Sequence, residues 1–198
     1  MGKIFYLIGK SCAGKDSLYN IIIKDEELAL HPVIRYTTRP IRDGETDGKS
    51  YHFVDFNGYS DYKRSGKIIE EQVYHTVHGD WYYFTADDGN LDIENNNYLA
   101  IGVLESFAGT RKYYGKEKVL PIYIELDDGE RLFRALSRER LPENGRYAEM
   151  CRRFLSDAND FSEERIRELG ITDDVRFEND DLDACAKRIK AWILKSIR

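Results

Sequence analysis

The sequence predicts an α/β fold with a parallel core sheet and an inserted, smaller mixed α/β unit. Three observations carry this reading. The apolar run at residues 4–8 passes through a glycine-rich turn into an amphipathic segment at 17–24. Two more continuous apolar runs, at 98–104 and 119–126, suit strands covered on both faces, and a helical segment follows the second. Between these core pieces, from about residue 32 to 97, the chain is rich in Tyr, His and Gly and carries short alternating runs.

Taken in order, the first strand and helix end at the charged stretch Lys24-Asp25-Glu26-Glu27. Short antiparallel strands at 50–54 and 81–85 are interrupted by a helical piece near 57–65. The core resumes with the strands at 98–104 and 119–126. Helices are expected over 128–138, 147–168 and 181–196, with a last strand at 175–178. Residues 138–146 contain Pro142 and Gly145, so they read as a mobile connection.

The 198 residues suit one compact unit, and 41% hydrophobic content supplies a sizeable core. A net charge of −6 argues against a general nucleic-acid or anionic-membrane binder, so any phosphate site must be local. Cys12, Cys151 and Cys185 are odd in number and lack metal spacing, as expected of reduced thiols in a cytoplasmic protein. No apolar run nears the roughly 18 residues of a membrane span, and no segment reads as a signal peptide.

The stretch Gly9-Lys10-Ser11-Cys12-Ala13-Gly14-Lys15-Asp16-Ser17 fits G-x-x-x-x-G-K between a strand and a helix. Its glycines let the backbone wrap closely around oxygen atoms, and successive N–H groups at the helix start face an anion. Lys15 adds a charge able to reach the outer phosphates of ATP. The usual hydroxyl residue after the lysine is replaced by Asp16, with Ser17 next. Mg²⁺ is therefore expected on Asp16 or Ser17, both being oxygen donors. The competing reading is a plain strand–turn–helix connection.

A second stretch runs Arg35-Tyr36-Thr37-Thr38-Arg39-Pro40-Ile41-Arg42-Asp43-Gly44-Glu45-Thr46-Asp47-Gly48-Lys49-Ser50-Tyr51-His52-Phe53. Guanidinium forks here suit a phosphate monoester, although two loop arginines are also ordinary surface charges. The pattern T-T-R-x-x-R-x-G-E-x-D-G-x-x-Y-x-F resembles the GMP-binding signature of guanylate kinases. The likeness continues at Gly66-Lys67-Ile68-Ile69-Glu70, at Trp81-Tyr82-Tyr83-Phe84-Thr85, at Arg134 and Arg138, at Arg153-Phe154-Leu155-Ser156 and at Asn179-Asp180-Asp181-Leu182.

The resemblance implies a P-loop three-layer fold: core 1–32 and 98–198, a nucleoside-monophosphate-binding subdomain at 33–97 and a mobile lid at about 137–150. It implies ATP-dependent phosphorylation of GMP, and of dGMP, with Mg²⁺, in a protein acting as a monomer or homodimer. Asn179 would join the loop at ATP. Arg39, Arg42, Tyr51 and Tyr83 would hold the GMP phosphate, with Arg35, Thr38, Glu70 and Thr85 at the acceptor. Glu70 would accept from guanine N1–H and its 2-amino group. Only one of Tyr82 and Tyr83 can face the ligand. Lys15, Arg134, Arg138 and Arg153 would stabilise the transferring group, unless Arg134 and Arg138 merely pair with acids such as Glu130.

Three residues depart from the family pattern: Asp16, Arg35 where a small hydroxyl residue is common, and Glu105 as the sole acid after the 98–104 strand. Glu105 thus joins Asp16 and Ser17 as a possible Mg²⁺ ligand. Two other readings stay open: a kinase of the same fold acting on another phosphorylated acceptor such as a sugar bisphosphate, and a non-catalytic binding module.

Overall fold

The computed structural model describes residues 1–76, 79–141 and 145–197. In chain order, β1 (Ile4–Gly9) leads to α1 (Lys15–Ile22) and β2 (Leu30–Pro32). The middle stretch holds β3 (Tyr36–Thr37), β4 (His52–Phe53), α2 (Phe56–Arg64), β5 (Ile68–Thr76) and β6 (Gly79–Ala86). Then come β7 (Asn97–Ile101), α3 (Leu104–Tyr114), β8 (Val119–Glu125) and α4 (Asp128–Glu139). The chain continues through α5 (Tyr147–Asp160), α6 (Glu163–Glu168), β9 (Arg176–Glu178) and α7 (Leu182–Ile197).

One sheet has the order β2-β7-β1-β8-β9, and all its pairings are parallel. Every residue of β1 is buried. Successive side chains point to opposite faces of a strand. Phe5 and Leu7 accordingly join Leu18 and Ile22 of α1 and Ile189 and Ile193 of α7, while Ile4, Tyr6 and Ile8 join Leu104 and Phe107 of α3. Burial on both faces explains the continuous apolar run and gives three layers, helix–sheet–helix. Each such side chain taken fully from water contributes roughly 1.5–3 kcal/mol before entropy.

The middle stretch forms a second sheet, β4-β3-β6-β5, in which β3 pairs parallel with β4, and β6 pairs antiparallel with β3 and β5. Tyr59 of α2 packs with Tyr36, Phe84 and Ala86 to give it a small core of its own. α3 joins the sheets. A Cβ at Gly109 would lie 2.4 Å from the Glu70 Cβ, so helix and β5 touch there without an intervening side chain.

Two sequence expectations are corrected. The helix expected over 147–168 is two helices, because the chain leaves α5 at Phe161 and restarts at Ser162. Phe161 is buried against Tyr123, and the Ser162 hydroxyl accepts from the Arg165 N–H at 3.4 Å as an N-cap. The strand expected over 98–104 ends at Ile101. Ser106 Oγ accepts from the Val103 N–H at 3.1 Å, which starts α3 and draws Leu104 into it. The proposed lid spans 137–150, of which 142–144 lie outside the described residues. Among the described residues, no helix is long and apolar enough to cross a membrane.

Candidate active site

The loop after β1 needs its glycines for two separate reasons. Gly9 has φ +151°, and a Cβ there would meet the Ile124 carbonyl oxygen at 2.5 Å. Gly14 has φ +92°, and a Cβ there would meet Asn179 Nδ2 at 2.2 Å. Gly14 is also the N-cap of α1 with no side-chain cap bond, so the helix start presents its N–H groups as an anion site. Lys15 curls back over the loop, donating to the carbonyls of Gly9 at 2.8 Å and Lys10 at 3.0 Å. Burial holds its ammonium below the usual lysine range, partly offset by Asp16 and Asp157.

Asn179, expected at ATP, is buried and donates from Nδ2 to the Ala13 carbonyl at 2.7 Å. It therefore braces the loop from β9's end. A brace that sequence reasoning missed comes from Arg131 of α4, which is 1% exposed. It donates to the Ser11 carbonyl at 2.9 Å, Asp128 at 2.5 Å and Asp157 at 2.8 Å, with its guanidinium 4.9 Å from the Phe154 ring centre. Asp157 also accepts from the Ser11 N–H at 2.7 Å. Lys10 pairs with Asp128 at 3.3 Å. The contacts that Lys10 and Ser11 make here join residues more than a hundred apart, which no local pattern announces.

Arg134 does pair with Glu130, at 3.0 Å, and also reaches the Asn179 carbonyl at 3.3 Å. It lies beside the loop, within 3.7 Å of where a Gly14 Cβ would stand. Arg138 and Arg153 line one small cleft with Ser11, Cys12, Arg131 and Phe154. Arg138 is largely exposed, and among the described residues the ion pairs of Arg153 are long ones, to Glu139 and Glu149 at 3.8 and 3.6 Å. The structure thus brings all three arginines to the loop.

On the second sheet, β5 and β6 align Glu70 opposite Thr85 and Gln72 opposite Tyr83. Glu70, Gln72 and Tyr74 share one face with Tyr83 and Thr85. Arg35 grips Glu70 in a two-pronged pair, Nε to Oε1 at 3.1 Å and Nη2 to Oε2 at 3.0 Å. Burial works against the Arg35 charge, but Glu70 outweighs it and holds the guanidinium above its usual range. Tyr83, not Tyr82, turns toward the arginines: its hydroxyl accepts from Arg39 Nε at 2.9 Å, while Tyr82 stacks on Tyr59 with ring centres 4.1 Å apart. Arg39 is buried, packs near the Tyr51 and Phe53 rings, and has both guanidinium ends on Glu45. Arg42 is exposed near the Trp81 ring, and its backbone N–H also donates to Glu45. Thr38 continues the pairing of β3 with β6, its hydroxyl accepting from the Tyr82 N–H at 3.0 Å.

The family model described as guanylate kinase matches residues 1–76. A guanylate kinase of Porphyromonas gingivalis is 28% identical over 206 residues, covering 100% of this chain and 99% of that protein. The chain is thus similar to guanylate kinases over its full length, most clearly in its first 76 residues. Other guanylate kinases align over shorter stretches: one from Paraburkholderia xenovorans is 35% identical over 81 residues, 41% of this chain and 34% of its own length. One from Alkalilimnicola ehrlichii is 38% identical over 69 residues, 35% of this chain and 34% of its own. The fold matches the crystal structure of guanylate kinase from Anaplasma phagocytophilum with TM-score 0.65 and 21% identity, over 98% of this chain and 85% of that one.

For Mg²⁺, the donors at the loop fit a minimal site. Among the described residues, no group of three His, Cys, Asp or Glu residues could enclose an ion. Asp16 and Ser17 are exposed in the first turn of α1, beside Lys15. One carboxylate and one hydroxyl suit Mg²⁺, which keeps several waters and takes its remaining oxygens from substrate phosphates. Glu105, the third oxygen donor expected here, pairs with Arg165 at 2.5 Å.

The Arg39–Glu45 pair makes the loop acid-sensitive. Hydrogen bonds from Arg39 push the Glu45 carboxyl from an ordinary 4.5 down to about 2. A carboxyl depressed in the folded state contributes stability above its unfolded pKa and loses it as pH falls toward the folded value. The loop is therefore expected to loosen as pH drops from about 4.5 to about 2. A carbon-detected titration of Glu45 with a midpoint near 4.5 would contradict this.

Proposed function

We propose that this chain transfers the terminal phosphoryl group of ATP to GMP, and to dGMP, forming the diphosphate. The observation that carries the reading is one strand serving two sites. β1 ends in the phosphate loop, and three residues earlier its Tyr6 lies in the field of both Arg35 and Glu70. Three residues of strand span roughly 10 Å, a separation over which a nucleotide donor and a monophosphate acceptor can meet end to end.

Phosphoryl transfer asks the protein mainly to align two phosphates and stabilise the spreading negative charge. Residues 1–32 and 98–198 would hold ATP, with residues 33–97 carrying the acceptor. The N–H groups of residues 9–17 and the Lys15 ammonium would cradle the donor phosphates, Lys15 exchanging its carbonyl partners for phosphate oxygens. Asp16 and Ser17 would hold the Mg²⁺ that accompanies ATP, whose contribution there is charge neutralisation on the outer phosphates. Arg42 with the hydroxyls of Tyr51 and Tyr83 would receive the acceptor phosphate. Arg39, its fork filled by Glu45, would orient Tyr83. Arg134, Arg138 and Arg153, in and on either side of the 137–150 region, would close on the transferring group, excluding water.

The test is ADP formation from Mg-ATP with GMP, dGMP, AMP, UMP and CMP supplied singly. Turnover is expected with the two guanine nucleotides and, at most, weakly with the rest. No turnover with any monophosphate, while ATP still binds, would overturn the reading and point to another acceptor on the same scaffold.

A further inference from the structure

The Glu70 carboxylate already has all its acceptor positions filled by the protein. An ionised carboxylate offers about four lone-pair sites. Oε1 accepts from Arg35 Nε at 3.1 Å and Thr85 Oγ1 at 2.5 Å. Oε2 accepts from Arg35 Nη2 at 3.0 Å and Gln72 Nε2 at 2.7 Å. Gln72 is committed at its other end as well, its Oε1 accepting from Arg35 Nη2 at 2.7 Å. Both members of the ion pair are shielded, with side-chain exposures of 12% for Arg35 and 3% for Glu70. Gly109 presses α3 against the Glu70 Cβ, so the carboxylate has no room to retreat on that side. For Glu70 to accept two new donors from a base, it would have to break two of these bonds inside the protein. Such exchanges are costly when the abandoned donors stay buried.

Arg35, by contrast, has donors to spare. A guanidinium carries five N–H bonds. The bonds above use Nε and Nη2; among the described residues, none is made from Nη1. Tyr6, Tyr51 and Tyr74, from three separate segments, all lie in the field of this one guanidinium. Arg35 is thus a donor held by Glu70 rather than competing with it, beside a cluster in which Tyr51 and Tyr74 each meet the Tyr83 ring edge-on.

We propose that Arg35 is the specificity-determining residue of the acceptor pocket, reading the 6-oxo group of a purine through Nη1, with Glu70 as its anchor. This rests on the monophosphate-kinase reading above and changes how the base is chosen. A 6-oxo oxygen presents an acceptor to the Nη1 N–H group, whereas adenine presents an amino donor there. Adenine is excluded. The 2-amino group that distinguishes guanine from hypoxanthine finds no vacant acceptor on Glu70. The pocket therefore selects 6-oxopurine monophosphates as a class, with weak discrimination between guanine and hypoxanthine.

The experiment compares kcat/KM for GMP, IMP and AMP in the wild-type protein, Arg35→Ser and Glu70→Gln. In the wild type, GMP and IMP are expected to differ by about tenfold or less, the range of one modest hydrogen bond. Arg35→Ser vacates two acceptor sites on Glu70, so the GMP-to-IMP ratio is expected to rise by roughly tenfold to a hundredfold. Glu70→Gln keeps an anchor of the same shape and should leave the ratio within about threefold of wild type; a purely structural Arg35 would shift both substrates together. Thermal melts of each variant identify any that fails to fold, and the wild-type ratio decides the matter if Arg35→Ser does. Turnover with GMP but more than a hundredfold less with IMP would overturn the inference alone. Absence of turnover with GMP would overturn the proposed function and this inference with it.

Discussion

Lys15→Ala is expected to lower the turnover number for ADP formation by about a thousandfold, the scale of losing a preorganised donor at the reacting charge. The ammonium stands at the start of α1, restrained by two loop carbonyls and already partly stripped of water. Those restraints point it before ATP arrives, so its charge need not be organised during the reaction. Removing it leaves the Gly9 and Lys10 carbonyls to water and spares the apolar layers. The melting temperature should therefore move little. A coupled ADP assay checks the rate, and a loss below tenfold would exclude Lys15 from the transferring phosphate.

Arg131→Ala is expected to destabilise the fold by about 3 kcal/mol, because breaking one side of a buried ion pair strands the other. Asp157 would keep the Ser11 N–H but lose its counter-charge, and the Ser11 carbonyl would lose a donor. For a chain of this size that corresponds to a melting temperature lower by roughly 6–12 °C. Urea unfolding of Arg131→Ala, Asp157→Asn and the double variant measures the coupling. If the two single losses simply add, the pair is not the unit described here. Asp128, half exposed, should contribute far less, since water competes for its charge.

What the sequence disclosed follows from how local each signal is. The phosphate loop is legible because strand, glycines, lysine and helix are contiguous, and β8 because burial on both faces makes an unbroken apolar run. α3 was not foreseen. Its inward face includes Ser106, Thr110 and Gly109 as well as Leu104 and Phe107, so close approach to β5 replaces an apolar stripe. β5 was equally hidden, since Glu70 and Gln72 face a polar network while Glu71 and Lys63 pair at the surface. Helix 147–168 hid its break because Phe161 and Ser162 are unremarkable until Tyr123 and a cap give them partners. Arg131 and Asp157 look like two more surface charges; only the tertiary fold makes them a brace. Likewise, the choice between Tyr82 and Tyr83 required knowing which side of β6 meets α2.

The bond from Asn179 to Ala13 has a consequence for the order of events in synthesis. It joins residues 166 positions apart. A nascent chain displays every letter of the phosphate-loop motif early, yet the amide that pins the loop leaves the ribosome long afterwards. β8 and β9, which flank β1 on one side of the sheet, arrive in the same late interval. Until then the motif is written but not braced, and the finished loop waits on the last part of the chain to emerge.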